Sequence, residues 1–93
     1  MPYYAATYEF VADAAAIEAA RPGHRDWLSH QPALRLSGPD DANGALLIWE
    51  ASDAAEVEAL LDEDPYTPAG VIAARRVVGW RPILGSWSTQ LAL

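Results

Sequence analysis

The sequence has 93 residues with no cysteine and no lysine, and its thirteen acidic residues face only six arginines. Without cysteine the chain forms neither a disulfide nor a thiolate metal site. The formal net charge of −7 would repel phosphate backbones and anionic lipid, so we expect no nucleic-acid or membrane partner. The two histidines and the scattered acids lack metal-ligand spacing, which argues against a metal centre.

Long apolar runs and recognisable cofactor loops are also missing. The apolar run ALLIW is far shorter than the ~20 residues that span a bilayer. The opening MPYYAAT lacks the basic start of a secretory signal, so a soluble cytoplasmic protein is expected. The chain contains no glycine-rich phosphate loop and no serine nucleophile elbow.

The residues that are present predict one small folded domain. Hydrophobic residues make up 52% of the chain and charged residues 20%, which is typical of a globular protein. We assign the domain to residues 1–85 and a C-terminal extension to residues 86–93. A chain of this length buries only about 60% of its unfolded surface, so a monomer would have modest stability.

The apolar patterns predict four strands and two helices. Strands are expected at 3–11, 33–37, 45–51 and 71–78, the last of which can continue past Gly79 to Ile83, and helices at 13–30 and from 52 or 53 to 63. Pro22 is expected to break the first helix at Arg21-Pro22, and Gly79 would suit a bulge near the end of the last strand.

The resulting order is β-α-β-β-α-β, which predicts an α+β protein with a ferredoxin-like fold. Two right-handed crossovers would place both helices on one face of a four-stranded antiparallel sheet. The third strand alternates so that Leu46 and Ile48 face one way and Leu47 and Trp49 the other. Both faces of the sheet are therefore apolar, although the helices cover only one.

The second apolar face of the sheet has two explanations. A second copy can pack on it, sheet to sheet, which would give a symmetric homodimer. Alternatively, the tail SWSTQLAL, with Trp87, Leu91 and Leu93, can fold back over it. We favour the homodimer because eight residues cover little of a sheet.

Asp64 is unusual because it follows the apolar stripe of the second helix. Val57, Leu60 and Leu61 recur at helical spacing, and Asp64 comes three or four residues after the leucines on the same face. One interpretation is structural: an aspartate before Pro65 is a common cap for the turn that follows. The other is functional, since an inward carboxylate is suited to proton transfer.

The stretch RPGH places His24 in the helical turn that starts at Pro22. It can be a partly exposed histidine at a helix start, or it can accept a proton from a substrate. The second histidine, His30, stands between Ser29 and Gln31 at a helix end, where a solvated surface residue is expected.

Four stretches together resemble the YCII-related (YciI-like) family. They occur in the family's order between residues 3 and 84, and they are RPGH (21–24), SGPD (37–40), ALLIWEA (45–51) and DPYTPAGV (64–71). The set is specific although each piece alone is weak. The loop SGPDDANG is shorter than in many relatives, and the chain after Gly85 extends beyond the usual end of the domain.

The resemblance implies a fold, an assembly and a site. Members of the family form a dimeric α+β barrel by pairing their sheets and are similar to muconolactone isomerases. At least one branch dehydrochlorinates a chlorinated hydroxyquinol. The family's proposed His–Asp active site would fall on His24 and Asp64, with Arg21 and Tyr66 beside the pair.

We therefore carry two hypotheses of function. The first is a lyase or isomerase that needs no cofactor, in which His24 removes a proton and Asp64 orients the imidazole. Its substrate would be a small molecule, aromatic or a lactone. The expected binding residues are Arg21, Trp27, Gly38, Pro39, Trp49 and Tyr66. The second is a non-catalytic dimeric module that binds a ligand or a protein, with a structural His24–Asp64 hydrogen bond.

Overall fold

One four-stranded antiparallel sheet, with two helices packed on one of its faces, makes up the protein. The computed structural model describes residues 1–91. The elements are β1 (Tyr3–Phe10), α1 (Ala14–Ser29), β2 (Leu34–Pro39), β3 (Gly44–Glu50), α2 (Ala54–Asp62) and β4 (Ile72–Trp80). The strand order β2-β3-β1-β4 is that of a ferredoxin-like sheet, so the predicted fold is confirmed.

The core lies between the helices and the inner face of the two central strands. Tyr8 of β1 and Leu47 and Trp49 of β3 are each at most 1% exposed, and they meet the buried Val57 and Leu61 of α2. Alternate positions on a strand point to opposite faces, so the inward residues of β1 and β3 define a single apolar layer. One side of the candidate site is formed by this layer.

Helix α1 runs unbroken through Pro22, so the predicted break at that proline is wrong. The Asp13 side chain caps the helix by accepting a hydrogen bond from Ala16 N at 3.1 Å. Proline has the φ angle of a helix, but it removes the bond to the carbonyl four residues earlier and its ring crowds that carbonyl. Here that carbonyl belongs to Glu18, and both Glu18 and Pro22 are exposed, so water can replace the missing donor.

Helix α2 begins with a reciprocal capping arrangement. The Asp53 side chain accepts from Glu56 N at 2.8 Å, and the Glu56 carboxylate reaches back to Ser52 N at 2.9 Å. Two backbone N–H groups at the helix start are thereby satisfied. These bonds to Ser52 lower the pKa of Glu56.

The turn between β2 and β3 is held tightly against β1. Asn43 adopts a positive φ of 57°, and Asp40 Oδ1 accepts from Ala42 N and Gly44 N at 2.8 and 2.9 Å. Gly44 passes so close to β1 that a Cβ there would lie 2.4 Å from the carbonyl oxygen of Tyr8. No side chain fits in that space, which explains why this position is a glycine.

Two predicted details of the strands differ from the structure. Strand β2 extends to Pro39 rather than ending at Ser37, because it pairs with β3 down to Ala45. Gly79 forms no bulge and pairs regularly with Tyr4. The irregularities lie elsewhere, between Glu9 and Phe10 in the β1–β4 pairing and between Leu34 and Leu36 in the β2–β3 pairing.

The outer face of the sheet carries exposed apolar side chains. They are Leu36, Leu46, Val78 and Trp80, each between 37% and 51% exposed. In the described part of the tail, the Leu91 carbonyl accepts a hydrogen bond from the Tyr3 hydroxyl at 2.8 Å, while Leu93 lies outside the described residues. The tail therefore contacts the start of β1 and leaves those four side chains exposed. Within residues 1–91, no helix has the length and apolar character needed to cross a membrane.

Candidate active site

The site is built around Asp64, which lies just beyond the end of α2. The Asp64 N–H donates to Leu61 O at 3.2 Å, and the Asp64 carbonyl accepts from Thr67 N at 2.8 Å. Pro65 cannot continue the helix, so the chain turns here and the Asp64 side chain projects back into the core. The side chain is fully buried, as the apolar stripe of α2 predicted.

The Asp64 carboxylate accepts hydrogen bonds from three different parts of the chain. His24 Nδ1 lies 2.8 Å from Oδ1 and 2.9 Å from Oδ2, the Tyr8 hydroxyl donates to Oδ2 at 2.8 Å, and Tyr66 N donates to Oδ1 at 3.0 Å. The bond from Tyr66 N is the predicted cap of the following turn. The same carboxylate therefore caps the turn and holds the imidazole of His24.

The hydrogen bond to Asp64 determines which nitrogen of His24 is free. An ionised carboxylate only accepts, so Nδ1 carries the proton and donates it, and in the neutral ring Nε2 keeps its lone pair. Within residues 1–91, no protein group forms a hydrogen bond with Nε2 of His24. In the same range, the indole nitrogen of Trp49 is the one fully buried side-chain nitrogen or oxygen that lacks a partner. Nε2 is therefore not fully buried, and His24 lines the adjoining cavity.

The ring of Tyr66 stacks on the imidazole of His24. The ring centroids are 3.8 Å apart and the planes differ by 9°. Phe10 packs edge-on against the Tyr66 ring of this stack, with ring centroids 5.4 Å apart. These contacts restrict rotation of the imidazole and cover part of it with apolar surface, leaving His24 7% exposed.

The Tyr8 phenol remains protonated because of its surroundings. Burial, and then the neighbouring Asp64 carboxylate, raise the pKa of Tyr8 well above its ordinary value. The phenol is therefore a permanent donor to Asp64 across the physiological pH range. All three partners of the Asp64 carboxylate are donors, so the carboxylate acts only as an acceptor.

A cavity of about 430 Å³ lies between α1, the inner face of the sheet and the β2–β3 turn. His24 and Tyr66 line it at one side, and the apolar residues Phe10, Ile17, Leu28 and Leu47 form much of the wall. Pockets of this size and apolar character take small organic molecules. The site thus combines the imidazole of His24, which Asp64 holds through Nδ1, with a cavity next to its unbonded Nε2.

Most of the residues assigned to the site from the sequence meet at this cavity. Arg21, His24, Gly38, Pro39 and Tyr66 all line it, and Asp64 lies behind His24.

The two tryptophans occupy a different place. Trp27 and Trp49 pack against each other with centroids 6.0 Å apart, and neither is part of the cavity wall. Trp49 points into the core because it shares the inward face of β3 with Leu47.

Three further residues of the site were not predicted. Tyr8 and Phe10 belong to the inward face of β1, and Arg25 follows His24 on α1. The alternation of Tyr4, Ala6, Tyr8 and Phe10 is a signal that would have placed the two aromatic residues on one face. Arg25 gives no signal beyond its spacing from Arg21. In the described chain, no group of three or more His, Cys, Asp or Glu side chains is arranged to hold a metal ion.

The sheet order, the two helices on one face and the buried His24–Asp64 pair define a ferredoxin-like α+β protein. The chain belongs to the YCII-related domain family, whose profile matches residues 1–81. The resemblance noted from the sequence motifs is thereby confirmed. No curated protein sequence matches the chain significantly.

Solved structures with the same fold come from several kinds of protein. One is the 5-chloro-2-hydroxyhydroquinone dehydrochlorinase TftG from Burkholderia phenoliruptrix AC1100, in complex with 2,5-dihydroxybenzoquinone. It is 24% identical, with a TM-score of 0.77 over 85% of this chain and 93% of TftG. A NIPSNAP domain protein from Burkholderia xenovorans is 18% identical, with a TM-score of 0.55 over 89% and 95% of the two chains. An antibiotic biosynthesis monooxygenase is 15% identical, with a TM-score of 0.58 over 90% and 100%. At these identities the likeness is one of fold.

Proposed function

We propose that the protein is a small-molecule lyase or isomerase that works by proton transfer and uses no cofactor. The observation that carries this proposal is the state of His24. Its Nδ1 is bound by Asp64, while its Nε2 has no partner among residues 1–91 and His24 lines a cavity. A purely structural histidine would satisfy both nitrogens with protein groups.

In the proposed reaction, Nε2 of His24 takes a proton from a carbon or hydroxyl of the substrate beside a carbonyl or ring. In an elimination, the electron pair left behind forms a double bond and expels a leaving group, and the imidazolium then gives its proton to the leaving group or to water. In an isomerisation, the electron pair takes the same proton back from the imidazolium at another carbon. Asp64 holds the ring in place and stabilises the imidazolium that forms. A positioned base of this kind contributes about 10²–10⁴-fold to a rate.

Family membership and one neighbour support a lyase in particular. The chain belongs to the YCII-related domain family, and TftG, a dehydrochlorinase, has the same fold over 85% of the chain. Fold alone does not fix chemistry, so the weight rests on the His24–Asp64 pair and its cavity. The substrate class that follows from the apolar wall is a small ring compound.

A test of proton transfer does not require the natural substrate. Candidate aromatic acids, hydroxyquinols and lactones are first ranked by thermal shift, and the best are incubated with the protein in D₂O. Enzyme-dependent exchange of a substrate C–H is then followed by proton NMR. His24→Ala is expected to abolish the exchange while staying folded, whereas His30→Ala, at an exposed position, keeps it. Undiminished exchange in His24→Ala would overturn the proposal.

A second candidate function follows from the complete burial of Asp64. Its bonds to Tyr8, His24 and Tyr66 join β1, α1 and the loop after α2, which is what a structural tie in a non-catalytic binding module would do. This alternative predicts that His24→Ala unfolds or loses several kcal/mol, because a buried acceptor loses its partner. No exchange would be seen with any compound.

We also propose that two copies pair through the outer face of the sheet. The exposed Leu36, Leu46, Val78 and Trp80 lie together on that face, and the described part of the tail leaves them uncovered. An apolar surface of this kind on a small protein is usually an interface. Pairing of two sheets would give the dimeric barrel that the family resemblance implies.

A further inference from the structure

Two arginines stand beside His24 on the same face of α1. Arg21, His24 and Arg25 are spaced i, i+3 and i+4, which brings their side chains together on one side of a helix. All three line the same cavity. Arg21 is half-buried and Arg25 is exposed at the opening. The open nitrogen of His24 therefore shares its cavity with two arginine side chains.

Neither arginine is neutralised by the protein. Among the described residues, Arg35 and Arg75 form ion pairs, but no carboxylate lies within 4.0 Å of Arg21 or Arg25. The chain has thirteen acids, so two adjacent arginines without an acidic partner are not the result of a shortage of carboxylates. Their charge is available to a bound molecule.

The one acidic residue of the cavity wall is already engaged elsewhere. Asp40 Oδ1 accepts from the backbone N–H groups of Ala42 and Gly44, which directs that carboxylate toward its own turn. With two arginines against this one carboxylate, an anion at Arg21 and Arg25 would meet a cavity lining with one net positive charge, within a protein whose overall charge is −7.

The rest of the cavity lining is largely apolar. Phe10 and Leu47 line it from the sheet, Ile17 and Leu28 flank the arginines on α1, and all four offer a surface for a ring rather than for a second charge. The planar fork of a guanidinium matches a carboxylate through paired hydrogen bonds. Two guanidinium groups, apolar surface around them and an imidazole in the same cavity together describe one kind of ligand.

We propose that Arg21 and Arg25 bind the carboxylate of a small aromatic acid, whose ring lies on the apolar wall with its reacting position near Nε2 of His24. The role of His24 in this proposal rests on the proposed function, but the carboxylate site rests on the arginines alone. The two can therefore be tested separately.

The binding test uses benzoate and its neutral analogue benzamide as probes, titrated into the full chain by calorimetry or ligand-observed NMR. Arg21→Gln and Arg25→Gln each remove one positive charge from the cavity. Arg81→Gln is the matched control, because Arg81 is exposed beyond β4, outside this cavity, and its loss changes the net charge equally. Circular dichroism and thermal unfolding verify that each variant is folded.

We expect benzoate to bind at least about tenfold more tightly than benzamide, since a charge-assisted pair of bonds is lost with the amide. Each cavity variant should weaken benzoate by about tenfold and leave benzamide unchanged, while Arg81→Gln binds as the parent does. Equal binding of the two probes, no saturable benzoate binding up to about 10 mM, or equal effects of all three variants would overturn the proposal.

The same probes separate this inference from the proposed function. His24→Ala should keep benzoate binding, because the arginines remain. If Arg21→Gln and Arg25→Gln lose benzoate while His24→Ala retains full proton exchange, the carboxylate site stands and the His24 mechanism fails. If His24→Ala abolishes exchange while benzoate affinity is unaffected by either arginine, the mechanism stands and the carboxylate site fails.

Discussion

The hydroxyl of Tyr8 donates a 2.8 Å hydrogen bond to Oδ2 of Asp64, and both side chains are buried. The bond links the first strand to the loop after the last helix, 56 positions away. It holds the carboxylate independently of the imidazole, so Asp64 stays in place when His24 changes its charge. Tyr8 is thus a residue that positions the candidate catalytic pair without reaching the cavity.

Replacing Tyr8 tests this bond directly. Tyr8→Phe leaves a buried carboxylate oxygen without its donor, so the free energy of unfolding in urea should fall by about 1–3 kcal/mol. The stability of the parent should also fall as pH rises, because the folded state raises the pKa of Tyr8 above its ordinary 10.0. The contribution of protonated Tyr8 to the free energy of unfolding is complete below about pH 10. It is lost above that pH, with a slope of up to about 1.4 kcal/mol per pH unit.

Tyr4→Phe is the control for Tyr8→Phe, because Tyr4 lies on the same face of β1 and its hydroxyl bonds no other group in residues 1–91. It should change the free energy of unfolding by no more than about 0.5 kcal/mol. Denaturation at several values between about pH 9 and 12 measures the slopes. If Tyr8→Phe retains the full alkaline slope of the parent, the assignment of that slope to Tyr8 is wrong.

Asp64→Asn is expected to reverse the tautomer of His24. The new amide donates to Nδ1, which moves the ring proton to Nε2 and removes the lone pair that faces the cavity. Proton exchange should fall by about 10²-fold or more. The free energy of unfolding should also fall by about 1–3 kcal/mol, since a single carbonyl oxygen replaces two acceptors.

The control for that substitution is Asp41→Asn, at an exposed position in the β2–β3 turn. It makes the same change of charge and should alter neither stability nor exchange. Exchange by Asp64→Asn at the parent rate would mean that the tautomer of His24 has no part in the chemistry.

Gly44→Ala should destabilise the protein through a backbone clash. The added methyl would lie 2.4 Å from the Tyr8 carbonyl oxygen, so β1 and β3 must separate locally, at a cost of about 1–3 kcal/mol. Gly38→Ala meets no atom within 4 Å and should be nearly neutral. Thermal unfolding of the two variants provides the comparison, and similar melting temperatures would contradict it.

If the protein is a homodimer, one substitution on the outer face of the sheet should change its oligomeric state. Leu46→Arg places a charge on the outer face of the sheet, where Leu46 is 44% exposed, and should convert a dimer to a monomer. Leu84→Arg, at a position that is 93% exposed and outside the sheet, should have no effect. Sedimentation at micromolar concentration measures both. A parent chain that sediments as a monomer would remove the proposal.

The topology and the inward direction of Asp64 were predictable because each depends on spacing along one element, whereas the His24–Asp64 pair followed only from the family resemblance. The apolar residues of α2 repeat at helical intervals, so the inward direction of Asp64 follows from counting along the helix. The alternation of β3 likewise separates Leu47 and Trp49, which are buried, from Leu46, which is exposed. Within a regular helix or strand, the periodicity of apolar residues predicts which side chains are buried.

What the sequence did not predict depends on contacts between elements. Tyr8 in YYAATYEF is a good strand residue in any environment, and only the approach of the loop after α2 gives its hydroxyl a partner. Pro22 indicates a break, yet one missing bond on an exposed face is too small a loss to end a helix that is capped at Asp13 and tied by His24.

The β2–β3 turn borders the cavity through Asp40 and Asn43 but makes no hydrogen bond to His24 or Asp64. Insertions or substitutions there would reshape the entrance while the imidazole and its carboxylate keep their geometry. Relatives built on this scaffold can therefore differ in which compounds they admit while the His24–Asp64 hydrogen bond keeps its geometry.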